Sequence, residues 1–328
     1  MRRILPSVFG AALIAAVATP LYSATAATDA QNASPVTTAP LAGPARPSTV
    51  PDGYVVTPFG FFHPSCVQSL AKGERLLADG RVQHANGSVN ASAAVCRYPH
   101  YMRNGVAAAA ATRSSPPTIN GWVESASITT GSPQKSYGAL ITAWIVPRQP
   151  YADDGQTLFF FPGFEDINDP QTSILQPVLA WNGGQWTIAS WNCCLSGIAT
   201  NSPAVVVKAG DVIYGSISNG CQPGTVSCAS WNVLTVDLST GQSTTLGNTP
   251  SQGQVFNWAF GGVLEAYSVS SCDDYPKDPQ LTFDQVTVFD ENLRPLAHEK
   301  WSIAVDTSDA PQCGYGIDTS VRGVTVRY

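Results

Sequence analysis

Two residues are placed to do chemistry in this chain, Gln176 and Glu265. Gln176 closes the run Thr172-Ser173-Ile174-Leu175-Gln176, and Glu265 lies inside Phe260-Gly261-Gly262-Val263-Leu264-Glu265-Ala266-Tyr267. Both runs read as strands. A polar side chain in such a run faces a wet cleft or is buried with partners, because an unpaired buried carboxylate is too costly. A carboxamide opposite a carboxylate can hold a carbonyl oxygen and activate a water. That is peptide-bond chemistry without a serine, cysteine, histidine or metal.

Other chemistries fit the sequence less well. The histidines are four, His63, His84, His100 and His298, and three precede the first sandwich strand. His298-Glu299 lacks the spacing of a zinc peptidase. Ser132-Pro133-Gln134-Lys135 is a Ser-x-x-Lys set in a turn, and no Gly-x-Ser-x-Gly elbow occurs. Glu165-Asp166 with Asp169, and Asp273-Asp274, read as solvated acidic loops in preference to calcium ligands. No metal and no other cofactor is expected. Trp181, Trp186 and Trp191 offer a different possibility, a platform on which sugars stack.

The elements that must position Gln176 and Glu265 are strands. From Thr118 onward, short alternating runs are separated by Gly, Pro, Asn and Asp turns. The strands expected are Gly121–Ile128, Gly138–Val146, Thr157–Phe161, Ser173–Trp181, Trp186–Trp191, Ala204–Val207, Asp211–Ile217, Trp231–Asp237, Ser243–Leu246, Val263–Val269, Thr282–Phe289 and Gly323–Arg327. Leu238-Ser239-Thr240-Gly241-Gln242 reads as the loop of a hairpin. The one helix-like segment is Val67–Leu77. An all-β, antiparallel β-sandwich follows.

Of 328 residues only 12% are charged while 44% are hydrophobic, enough for a sizeable core. The net charge of −6, without any Lys/Arg-rich run, argues against a nucleic-acid partner. Arg2-Arg3, the apolar stretch Leu5 to Val17 and Ala24-Thr25-Ala26 read as a secretory signal over residues 1–26. The mature chain is then exported, extracellular or periplasmic, with no membrane anchor. Residues 27–52 read as a disordered linker. Residues 53–117 form a small N-terminal unit ending in Ala107 to Pro117, a natural place for proteolysis. Residues 118–328 form the sandwich. Eight cysteines in an oxidising compartment suggest disulfides. Cys66–Cys96 and Cys221–Cys228 are the expected pairs, and adjacent Cys193 and Cys194 are expected to bond to two different partners.

Several short motifs, in order, resemble the eqolisin-type glutamic peptidases over roughly residues 119–290. Asn120-Gly121-Trp122 and Ile141-Thr142-Ala143-Trp144-Ile145-Val146-Pro147 are similar to the family's opening segment and first strand. Phe161-Pro162-Gly163-Phe164-Glu165 resembles Trp-Val-Gly-Ile-Asp. Ile174-Leu175-Gln176 matches the run that carries the family's glutamine. Lys208-Ala209-Gly210-Asp211-Val212-Ile213 and Leu238-Ser239-Thr240-Gly241-Gln242 resemble a strand start and a turn of the family. Leu264-Glu265-Ala266-Tyr267 is similar to the Ile-Glu-Asp-Phe that holds the family's glutamate. Pro177 and Ser190 depart from the pattern, as do Glu165 in place of Asp and one inserted residue before Gln176. The neprosin-type relatives use two glutamates, so Gln176 fits the eqolisin pairing better.

The resemblance implies an eqolisin-like, concanavalin-like sandwich and a secreted, acid-active endopeptidase made as a zymogen, with 53–117 as propeptide. It implies a polypeptide substrate and a monomer. Glu265 would be general base then acid, and Gln176 the oxyanion donor. Trp122 and Trp191 would wall the cleft. Glu165 would raise the pKa of Glu265 if the two lay close. Two rival functions stand beside it. One is a non-catalytic sandwich binding polysaccharide or a surface partner through exposed tryptophans. The other is a glycan-cleaving enzyme using Glu165 and Glu265.

Overall fold

Twenty strands and no α-helix make up the described residues of the computed structural model, which are 47–101, 105, 107, 122–169, 173–194, 197–297, 300–307 and 311–328. The signal segment 1–26, most of the linker, residues 108–117, Asn120-Gly121 and His298-Glu299 lie outside the described residues. Those described belong to one body, Ala39–Tyr328. Among them, no helix is long and apolar enough to cross a membrane.

The N-terminal part holds β1 (Val55–Thr57), β2 (Gly60–Phe62), β3 (Val67–Ser69), β4 (Arg75–Leu76) and β5 (Val82–Gln83). Then follow β6 (Trp122–Thr129), β7 (Tyr137–Ile145), β8 (Thr157–Glu165), β9 (Ile174–Asn182) and β10 (Gln185–Cys193). Next are β11 (Ala199–Asn201), β12 (Val205–Val207), β13 (Val212–Asn219), β14 (Ser230–Asp237) and β15 (Ser243–Pro250). The last are β16 (Trp258–Tyr267), β17 (Gln280–Asp290), β18 (Ser302–Val305), β19 (Gly316–Ser320) and β20 (Gly323–Arg327).

Two large sheets stack. One has nine strands in the order β18-β6-β16-β8-β9-β10-β11-β3, with β12 also on β10; the other has seven, β15-β14-β13-β7-β17-β20-β19. All pairings in them are antiparallel except β3 with β11, where Val67 to Ser69 run parallel to Ala199 to Asn201. The expected all-β sandwich is therefore the observed fold. Between the sheets lies the main core, including Trp144, Phe164, Leu179, Trp231 and Phe283. A second apolar cluster lies on the other face of the nine-stranded sheet. It joins Phe159, Phe161, Val178 and Phe260 to Tyr54, Phe61 and Phe62 of the N-terminal part.

Three expectations are corrected. Val67–Leu77 is not helical: Val67 to Ser69 join the sheet edge, and Gly73 turns the chain at φ +85°. Once three residues pair with β11, no helical ladder remains for them. Cys193 and Cys194 bond to each other; Cys66–Cys96 and Cys221–Cys228 pair as expected, and Cys272 joins Cys313. Cys193 ends β10 and Cys194 follows it, both inside the second cluster, and the other six cysteines are taken up in the three remaining bridges. Finally, β8 does not stop at Phe161 but continues through Pro162-Gly163. The β8–β9 ladder breaks off at Phe160↔Leu179 and resumes at Phe164↔Leu175, which sets Pro162 opposite Pro177. Two residues without an N–H thus share one gap in the ladder.

The hairpin loop behaves as expected. Val236 pairs with Ser243, the Asp237 carboxylate accepts from Ser239 N at 2.8 Å and Thr240 Oγ1 at 2.6 Å, and Gly241 takes φ +76°.

Candidate functional site

Strand alternation decides which side chains meet. On β9, Leu175 and Leu179 enter the inter-sheet core, while Ile174 and Val178 belong to the cluster beneath the N-terminal part. Gln176 shares the phase of Ile174 and Val178. On β10, Trp191 and Cys193 lie in that same cluster. Trp122 of β6, and Phe159, Phe161 and hence Glu165 of β8, share it, as do Val263, Tyr267 and hence Glu265 of β16. All five expected site residues, Trp122, Glu165, Gln176, Trp191 and Glu265, therefore occupy one face of one sheet.

The departures Pro177 and Ser190 point the other way. They are cross-strand partners. A Cβ on Gly215 of the seven-stranded sheet would lie 2.9 Å from Pro177 Cγ. Ser190 Oγ is 3.0 Å from Thr235 Oγ1 and donates to the Thr244 carbonyl at 3.3 Å. Neither residue borders the face that carries Gln176.

Gln176 is fully buried, and its Nε2 donates to the Pro58 carbonyl at 3.3 Å. Its Oε1 has no partner among the described residues. Leaving a buried acceptor unpaired costs about 1–3 kcal/mol. Trp191, half-buried, is its cross-strand neighbour on β10. On β8 the register places Gly163 opposite it, and Gly163 pairs in turn with Phe260 of β16.

Glu265 sits elsewhere on the face. Its cross-strand neighbours are Trp122 on β6 and Phe159 on β8. It is 1% exposed, and the Tyr267 hydroxyl donates to its Oε1. The Tyr267 ring meets Phe61 edge-on at 5.3 Å and Phe159 at 6.0 Å. Trp122 packs edge-on against Phe161 and Phe260.

The structure does not set Gln176 and Glu265 face to face. Measured on β8, the Gln176 row crosses at Gly163 and the Glu265 row at Phe159. Four residues of strand span about 14 Å, and the two intervening strand spacings add about 10 Å sideways, for roughly 17 Å between Cα atoms. The offset includes a bulge: β16 passes from Phe260↔Gly163 to Val263↔Phe161, placing Gly261-Gly262 against one residue of β8. Nor is Glu165 beside Glu265. Six residues of β8 separate Glu165 from Phe159, about 20 Å, too far for one carboxylate to raise the other's pKa.

The carboxylate that is near Gln176 is Glu165. It pairs with Ile174 on β9 and with Trp258 on β16, and it is fully buried. Gln176 lies two residues along β9 from Ile174 on the same face, a diagonal separation of about 7–8 Å that long side chains bridge. Glu165 was expected beside Glu265; the register sets it beside Gln176 instead. The adjoining Asp166 is not solvated: it is 7% exposed, and accepts from Asn168 N and Val255 N at 2.9 Å each.

The N-terminal part packs on this face. The β1–β2 hairpin turns at Pro58-Phe59, with Pro58 on Gln176 and Phe61 on Tyr267.

No family model and no curated protein matches the chain. Solved structures do. The fold is similar to that of eqolisin-type glutamic peptidases. Scytalido-glutamic peptidase, solved with a peptide-based transition-state analog, matches with a TM-score of 0.47 at 17% identity, covering 63% of this chain and 98% of that one. SCP-B of the eqolisin family, in complex with the tripeptide Ala-Ile-His, gives 0.45, 17%, 63% and 98%. Aspergilloglutamic peptidase from Aspergillus niger gives 0.39, 18%, 52% and 98%.

Proposed function

We propose that this chain is a secreted glutamic endopeptidase, acid-active and made as a zymogen whose N-terminal part occupies its own cleft. The observation that supports it is the hydrogen bond from Gln176 Nε2 to the Pro58 carbonyl. A buried carboxamide donating to a peptide carbonyl is the contact an oxyanion donor makes with its substrate. In catalysis the donor stabilises the carbonyl oxygen as water adds to the carbon. A glutamate on the same face takes the water's proton and hands it to the departing amine. The amide donor works at any pH, so only the glutamate must be poised. Its free pKa near 4.3 suits acid conditions, in which a histidine base would be protonated. The sequence reading gives the glutamate's part to Glu265.

The rival readings draw less support. Seven of the eight tryptophans are buried, and Trp181 and Trp186 lie between the sheets, leaving only half-buried Trp191 for a sugar platform. Glu165 and Glu265 stand wider apart than the carboxyl pair of a glycosidase, which flanks its bond at about 5–9.5 Å.

The test uses purified full-length protein and its Gln176→Ala variant at about pH 3–4, near the free glutamate pKa, with an unfolded protein substrate and mass spectrometry. The wild type is expected to cut the substrate and to lose its N-terminal part, and the variant to do neither. A folded, inert wild type across pH 3–7 refutes the peptidase reading.

A further inference from the structure

We infer that Glu165, not Glu265, is the catalytic carboxylate that works with Gln176. The inference rests on the peptidase reading and specifies its base.

Three observations lead to it. The first is register. Glu165 on β8 and Gln176 on β9 are diagonal neighbours on one face of adjacent strands, whereas Glu265 is displaced by four residues along β8 and by a further strand. A general base must come within hydrogen-bond reach of the attacking water, and that water must lie about 3 Å from the carbonyl carbon. A carbonyl held by Gln176 Nε2 places this water beside Gln176, within range of Glu165 and far outside that of Glu265.

The second observation concerns what surrounds each carboxylate. Beside Gln176 the face carries Ile174, Val178, Gly163, Phe260 and Trp258, none of which can move a proton. Glu165 is the acidic side chain of that corner. Gly163 matters here because a Cβ there would press to 3.2 Å on Ile174 Cδ1 and on the Leu175 carbonyl; the absent side chain keeps the row between β9 and β16 low. Glu265 instead belongs to an aromatic corner of Trp122, Phe159 and Tyr267, and the Tyr267 hydroxyl donates to it. That environment suits a structural carboxylate that anchors Tyr267 beneath Phe61.

The third is the substrate-like segment. Pro58 brings its carbonyl to Gln176 at the turn of the β1–β2 hairpin, and this turn defines where a scissile bond would lie. The step balances as written. A lone pair of water forms the new C–O bond while the carbonyl π electrons move to the oxygen held by Gln176. Glu165 takes one proton of that water. Collapse of the adduct breaks the C–N bond, and Glu165 returns the proton to the leaving nitrogen.

The deciding experiment compares Glu165→Gln, Glu165→Asp and Glu265→Gln in the full chain, with the wild type alongside. Steady-state cleavage of an unfolded substrate is followed over pH 2.5–7, and circular dichroism checks folding. Glu165→Gln is expected to lose about 10²–10⁴-fold in kcat with KM little changed, the range for loss of a general base. Glu165→Asp is expected to retain part of the rate and to displace the acidic limb of the pH profile, which a merely structural role would not do. Glu265→Gln is expected to stay within about tenfold of wild type, consistent with a supporting contact. If Glu265→Gln is dead while folded Glu165→Gln or Glu165→Asp keeps wild-type rate and profile, the assignment is overturned and the peptidase reading survives. If the wild type itself is inert, both fall.

Discussion

The two faces of the nine-stranded sheet are made by alternate residues of the same strands, yet they bury polar groups in different ways. On the face turned to the seven-stranded sheet, Ser190 bonds Thr235 and the Thr244 carbonyl, and Asn192 Nδ2 donates to Thr249 Oγ1 at 2.7 Å and the Pro250 carbonyl at 3.0 Å. These groups stitch the two sheets together. On the other face Gln176 donates to a carbonyl of the N-terminal part and leaves its own Oε1 unpaired. The first face is closed by the second sheet; the other is covered by the N-terminal part. A residue moves from one regime to the other by a single step along β9 or β10, which is why Pro177 and Ser190 belong to the core and not to the face of Gln176.

The comparison is sharpest in stability. Phe164, fully buried between the sheets against Tyr137 and Trp231, should cost about 3–5 kcal/mol on replacement by alanine, measured by chemical denaturation of the whole body. Phe61→Ala removes a buried ring of similar size but from the cover, so hydrogen exchange should accelerate across residues 50–101 while β6–β20 stay protected. Equal protection loss on both sides would break the distinction. The Cys66–Cys96 bridge lies wholly within the cover. Replacing both cysteines by serine should cost about 2–4 kcal/mol, read as an early, separate melting step.

A smaller effect is expected at Gln176. Gln176→Met removes the unpaired Oε1 but also the donor to the buried Pro58 carbonyl, so the two terms offset and stability should shift by no more than about 1 kcal/mol in thermal denaturation; on the proposed function, cleavage is abolished. A clear loss of stability would mean that Gln176 is structural.

Two buried groups give slopes with pH, and they slope in opposite directions. Burial pushes the Glu124 carboxyl from its ordinary 4.5 up to about 8, against the pull of backbone amide donation from Gly316 and the Arg327 charge. The folded chain therefore holds a proton that the unfolded chain has lost, and this contribution falls as pH rises from 4.5 to 8. Glu124→Gln should flatten that part of the stability curve. His100, stacked on Phe62 at 4.7 Å in the cover, has its pKa lowered by burial. Below its ordinary 6.5 the unfolded chain binds a proton that the folded cover resists, so cover stability falls as pH falls. His100→Phe should remove that acid sensitivity, measured by proteolysis of residues 50–101 against pH. These two groups pull opposite ways: acid favours the folded sandwich through Glu124 and disfavours the folded cover through His100.

Much of this architecture is written in local pattern. Gly323–Arg327 alternates cleanly and is found as a strand with those bounds, and the loop at Asp237 to Gln242 carries its own turn chemistry. Ser302–Val305 is a largely exposed edge strand, and Gly316–Ser320 is an edge strand buried only at its first two residues, so neither shows an alternating period; Ala199–Asn201 is wholly buried between β10 and β3, but three residues are too few to show one. Val67–Ser69 was hidden for a different reason: its partner lies more than a hundred residues away. The candidate site shows the same limit. Burial and face follow from alternation, so Trp122, Glu165, Gln176, Trp191 and Glu265 could all be expected on one surface. Which two of them meet depends on inter-strand register, and the Gly261-Gly262 bulge shifts β16 by a residue that no single-strand pattern records.

The parallel pairing of β3 with β11 has a consequence for what happens after any cut between residues 107 and 121. The N-terminal fragment would remain bound as a terminal strand of the larger sheet, so a nicked chain is a two-piece complex and not a sandwich free of its cover. Its departure would bare the ladder of Ala199–Asn201 to water. An open edge of this kind seeks a new strand. Dilution, which promotes separation, and crowding, which promotes self-association along that edge, would then pull the nicked protein toward different fates.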